Sequence, residues 1–128
     1  MNYNIISTGS HGNAVVIERS ILIDLGVSFR LLNDVYKHLK IVLLTHIHSD
    51  HFNKAAIRRL AIERPTLRWG CPKWLVKPLV NLGVSKVNID ILVADETYNY
   101  KFCKIIPFNL YHNVQNCGYK LHFSNGKV

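Results

Sequence analysis

Residues 41–52 read IVLLTHIHSDHF. The run Lys40-Ile-Val-Leu-Leu-Thr45 is apolar or β-branched at nearly every position, which predicts a strand buried on both faces. His46, His48, Asp50 and His51 follow at once. Three imidazoles and a carboxylate crowded together add little to a core. Ser49 or Asp50 as a cap for the next helix would explain one of the four, not the histidines. Together they offer the donors that suit zinc, with manganese or iron as alternatives. An extended chain sends His46 and His48 to one side, and Asp50 and His51 approach as the chain turns. The stretch sits at the carboxyl end of a buried strand, where α/β sheets place their sites.

Working outward, "YNIIS" and "NAVVIE" flank the turn "TGSHG" and predict a β-hairpin. "SILIDLG" is a further strand ending at Asp24-Leu25-Gly26. "VSFRLLNDVYKHL" carries Leu31, Leu32, Val35 and Leu39 at helical spacing and predicts an amphipathic helix. Beyond the histidines, "NKAAIRRLAIER" predicts a helix with Ala56, Ile57, Leu60 and Ala61 on one side, stopped by Pro65. "TLRWGC" reads as a short strand. "PKWLVKPLVNLG" reads as a helix with Pro72 in its first turn, Gly83 at its end, and Pro78 kinking or dividing it. "VNIDILV" and "TYNYKFCKIIPFNLYH" are strand-like, and "CGYKLHFSNGKV" predicts a hairpin turning at Ser124-Asn125-Gly126. Helices and strands are mixed throughout, so the class is α/β or α+β.

A chain of 128 residues, 48% hydrophobic, fits a single globular domain. No apolar run is long enough to span a membrane, and the first residues lack the pattern of a secretory signal. Cys71, Cys103 and Cys117 are odd in number and unpaired in spacing, which predicts buried, reduced thiols and a cytoplasmic protein. The net charge of +8 is uneven. Residues 51–80 hold Lys54, Arg58, Arg59, Arg64, Arg68, Lys73 and Lys77 against Glu63 alone. That stretch is either a solvated helix face or a surface that draws in anions such as phosphodiesters.

The motif His46-x-His48-x-Asp50-His51 resembles the signature of the metallo-β-lactamase superfamily. "STGSHGNAVVIE" resembles the first hairpin of its phosphodiesterase and ribonuclease Z-like branches. "ILIDLG" resembles the strand that ends in Asp-Gly, with Leu25 intervening here, and "YHNVQNCGYKLHF" resembles the later strand carrying a further histidine. The resemblance implies an α/β fold, the first half of an αβ/βα sandwich: a mixed β-sheet with covering helices. Residues 1–128 would form one such domain, truncated before the second half. It implies that His46, His48 and His112 bind a first metal ion, that Asp50 and His51 contribute to a second, and that Asp24 orients the ligand loop. One or two zinc, manganese or iron ions are expected. Asp50 would also be catalytic, holding the attacking water. The implied activity is hydrolysis, often of a phosphodiester in nucleic acid or a cyclic nucleotide.

The chain departs from that pattern after His112. Family members continue to a bridging aspartate and a last histidine, whereas here only His122 and no acidic residue follow. Three expectations result: a second chain completing the site, a homodimer doing so, or a catalytically incomplete metal-binding half that binds nucleic acid or a partner chain. His11 on the glycine-rich loop, and Arg58 and Arg59 just beyond the ligand loop, are weaker candidates for substrate contact. Trp69, Trp74, Tyr98 and Tyr100 are able to stack on bases, but core or strand-pair roles are the commoner use. His38 suits a helix end, and His122 a strand surface.

Overall fold

In a computed structural model of the chain, residues 3–9, 12–110 and 116–123 are described. The turn expected at Ser124-Asn125-Gly126 lies outside them. Six strands form the larger sheet: β1 (Tyr3–Ser7), β2 (Ala14–Ile17), β3 (Ile21–Ile23), β4 (Ile41–Leu43), β5 (Arg68–Cys71) and β6 (Ile89–Ile91). They lie side by side in chain order. β1, β2 and β3 pair antiparallel, and β3 through β6 pair parallel. A smaller antiparallel sheet holds β7 (Tyr98–Asn99), β8 (Cys103–Asn109) and β9 (Cys117–Phe123). This is a mixed α/β architecture, as the sequence predicts.

The apolar run of β4 explains how the layers meet. Side chains alternate across a strand, so Val42 and Leu44 point to one side and Ile41 and Leu43 to the other. Val42 and Leu44 join Leu22, Trp69 and Cys71 under Ala56, Ile57 and Leu60 of α1 (Lys54–Glu63) and Leu79 of α2 (Val76–Asn81). Ile41 and Leu43 join Ile21, Cys103, Ile105 and Leu121 between the two sheets. A strand covered on both faces cannot alternate apolar with polar, hence its composition. Among the described residues no helix is long and apolar enough to cross a membrane.

Two helical expectations need correction. Phe29–Leu32 and Val35–His38 form two short 3₁₀ turns, not one amphipathic helix. Asn33, between them, takes a left-handed φ of 49° that breaks the α-helical ladder, and Leu31 is left exposed while Leu32 and Leu39 are buried. The segment after Pro72 divides at Leu75: a 3₁₀ turn over Lys73–Leu75 gives way to α2. Pro78 therefore falls in the first turn of α2, where its missing N–H leaves no hydrogen bond unmade. The helix after the histidines is as expected, but its cap is Asn53, whose side chain accepts from Ala56 N, and not Ser49 or Asp50. "TYNYKFCKIIPFNLYH" is likewise two strands, β7 and β8, closed by the Tyr100 N–H donating to the Cys103 carbonyl.

Cys71, Cys103 and Cys117 are free and buried. Trp69 is a core residue. The Tyr98 hydroxyl accepts from Val93 N, and the Tyr100 hydroxyl donates to Asp90. These three aromatics are committed to the fold, not offered as stacking surfaces.

Candidate metal centre

β4 ends at Leu43, and residues 44–47 leave the sheet before the chain turns into α1. His46 and His48 stay together beyond the end of the strand. His46 is buried, whereas His48 is exposed. Their rings still meet edge-on, with centroids 5.2 Å apart. The ring of His51 lies closer to His46, at 3.9 Å. Among the described residues, His46, Asp50 and His51 each offer a ligand atom within 4.8 Å of the others. His11 and His112 lie outside the described residues.

Asp24 stands behind this cluster. It follows β3 with a left-handed φ of 61°, and its side chain lies under the loop that carries the histidines. One carboxylate oxygen accepts from Thr45 N at 2.8 Å; the other accepts from Thr45 Oγ1 at 2.7 Å and from His51 Nδ1 at 2.7 Å. Having donated to Asp24, the Thr45 hydroxyl has only lone pairs to offer His46 Nδ1, 3.0 Å away. Both histidines are therefore assigned the Nδ1–H tautomer, with Nε2 bare. That is how a metal-binding imidazole is oriented from behind, so the donor set fits a divalent cation.

The two imidazoles are shifted in opposite directions. Burial lowers the pKa of His46, helped by His51 and His48, and the Asp24 and Asp50 carboxylates do not reverse it. Burial lowers that of His51 too, but there the Asp24 hydrogen bond and the charges of Asp24 and Asp50 prevail and raise it.

Backbone packing fixes the loop. Gly26 has no room for a side chain, since a Cβ there would sit 1.9 Å from the Asp50 carbonyl oxygen. Asn13 N donates to that same oxygen at 2.6 Å. The Asn13 amide also reaches His51 Nε2 at 3.0 Å and the Asp50 carboxylate at 3.4 Å. From the other sheet, Cys117 N donates to the Thr45 carbonyl and the Tyr119 hydroxyl to the Leu44 carbonyl. Asn13, Thr45 and Tyr119 are the site residues that sequence reading missed. Only Thr45 carries a local signal, as the hydroxyl preceding the first histidine; the other two act across long separations.

The two arginines differ. Arg59 pairs with Glu63 at 3.3 Å and covers the Phe29 ring. Arg58 is exposed. Of the other basic residues in 51–80, Arg64 donates to the Tyr36 and Leu39 carbonyls, and Arg68 pairs with Asp90.

A mixed sheet backed by helices, a second sheet against its other face, and a His-Asp-His cluster at the strand ends define the class: the chain has the metallo-β-lactamase fold. Three solved structures carry the comparison. Human tRNase Z, short form (ELAC1), matches 98% of this chain with a TM-score of 0.67 at 14% identity. The metallo-β-lactamase fold protein YhfI from Bacillus subtilis matches 93% with a TM-score of 0.68 at 16% identity. A B3 metallo-β-lactamase with an active-site glutamic acid matches 99% with a TM-score of 0.66 at 15% identity. The chain spans 65%, 56% and 56% of their respective lengths. No family model matches the sequence, and no curated protein matches it.

Proposed function

We propose that the chain is a metal-dependent hydrolase acting on a phosphodiester. The carrying observation is the cluster of His46, Asp50 and His51 with both imidazoles oriented from behind by Asp24, directly for His51 and through Thr45 for His46. His48, beside His46 and open to solvent, and His112 complete the expected ligand set. Zinc, manganese or iron would supply Lewis acidity and lower the pKa of water toward neutrality. Asp50, at the cluster and partly exposed, is the group that orients a water toward phosphorus. Asp24 holds the Nδ1 side of His51 and so turns Nε2 toward the cluster. The basic stretch near the site favours an anionic substrate over a neutral one, and the tRNase Z among the fold neighbours supports nucleic acid. The protein works in the cytoplasm in this reading, consistent with its free cysteines.

The donor count among the described residues favours a second reading, a metal-binding module that binds nucleic acid or a partner chain without turnover. A homodimer or a complementing chain would be its route to activity. The two readings separate on metal content per chain and on turnover of bis(p-nitrophenyl) phosphate with Zn²⁺ or Mn²⁺. Bound metal with turnover that His46→Ala and His48→Ala both abolish supports the hydrolase. Bound metal without turnover supports the module, and no metal uptake overturns both.

A further inference from the structure

Lys54 and Arg58 sit one helical turn apart at the start of α1, on one face of the helix. Both are exposed, and neither has an acidic partner among the described residues. Lys54 follows His51 by three positions, so the ridge begins where the ligand loop ends. Its neighbours are otherwise occupied: Arg59 is neutralised by Glu63, and Asp50 belongs to the cluster. Ile47, on the loop itself, leaves an apolar side chain 47% exposed.

We infer that Lys54 and Arg58 hold the sugar–phosphate backbone of a polynucleotide strand beside the metal cluster. The inference rests on the phosphodiester reading and narrows it. A cyclic nucleotide carries one phosphate, which the cluster itself would take. Two further cations, spaced along a helix by about 5–6 Å, have work only if the substrate continues with more phosphates.

The test is binding of a fluorescein-labelled single-stranded 12-mer to the full chain by anisotropy, over a range of salt concentrations. Lys54→Glu/Arg58→Glu is expected to weaken binding at least tenfold. The double substitution should also flatten the dependence of log K on log salt by about 1.4, the value for two lost contacts on a single strand. The control, Lys40→Glu/Lys86→Glu, changes net charge equally. Lys40 and Lys86 precede the parallel strands β4 and β6, at the strand ends opposite the one that leads into the cluster. The control is expected to weaken binding less than threefold. Lys54→Gln/Arg58→Gln, which removes the two charges without reversing them, is expected to shift binding in the same direction, with circular dichroism unchanged. Equal loss in the ridge and control variants, or no loss in the ridge variants, overturns the inference. Turnover of bis(p-nitrophenyl) phosphate, which has no flanking phosphates, is measured on the unaltered protein alongside. If the unaltered protein shows no such turnover while the ridge still governs binding, the hydrolase reading fails and the ridge assignment stands.

Discussion

Asp24 and His51 meet at 2.7 Å across 27 positions of chain. The carboxylate is almost wholly buried and also takes both donors of Thr45, so one acid fixes the backbone and two imidazoles together. Asp24→Asn keeps the volume but puts a donor where acceptors are needed. Metal affinity, measured by competition with a chromogenic chelator, should fall by about 10–100-fold. An unchanged affinity would mean that Asp24 serves only the fold.

Gly26→Ala places a methyl group against the Asp50 carbonyl. Because the close atom is backbone, the ligand loop itself must move. The expected cost is ~1–3 kcal/mol in urea unfolding, together with weaker metal uptake. Full stability and full uptake in this variant would show that the loop is not anchored there.

The buried thiols respond to alkali. Burial pushes Cys71 up to about 12, and Cys103 and Cys117 up to about 11. The unfolded chain releases these protons at lower pH than the folded one. Their contribution to stability is therefore complete below pH ~8.5 and is lost as pH rises toward 11–12. Urea midpoints should fall over that window, and less so in Cys71→Ala once its own cavity cost is subtracted. At pH 8 the native protein should resist iodoacetamide, whereas denatured chain should take up three equivalents.

Arg64 and Arg58 look alike in the sequence and should behave differently on truncation. Arg64 donates to two carbonyls of the 3₁₀ segment, so Arg64→Ala should cost ~1–3 kcal/mol. Arg58→Ala, on an open helix face, should stay within ~0.5 kcal/mol. Comparable losses would contradict the placement of these side chains.

That pair also shows where sequence reading stops. The run into β4 and the histidines behind it are local signals, and they led to the fold and to the cluster of His46, Asp50 and His51. The run of basic residues 51–80 was equally visible, but its partition was not. Arg59, Arg64 and Arg68 are spoken for by Glu63, two carbonyls and Asp90, and those partners are set by packing. Asn33 breaks a helix that the spacing of Leu32, Val35 and Leu39 predicts, because its left-handed turn outweighs a pattern only partly used in the core. Asn13 carried no signal at all. It reaches His51 from 38 positions away, and only the docking of the first hairpin's loop against Gly26 brings it there.

The tether between Tyr119 and the Leu44 carbonyl spans 75 positions. Closing so long a loop is entropically slow compared with forming a hairpin. The histidine loop is therefore expected to reach its final shape only once both sheets have docked. On the proposed metal-binding reading, an ion arriving earlier would meet imidazoles not yet held in place, and capture of the cation is expected to follow chain assembly. Freshly refolded protein would accordingly regain its β-sheet circular dichroism before it becomes able to retain metal.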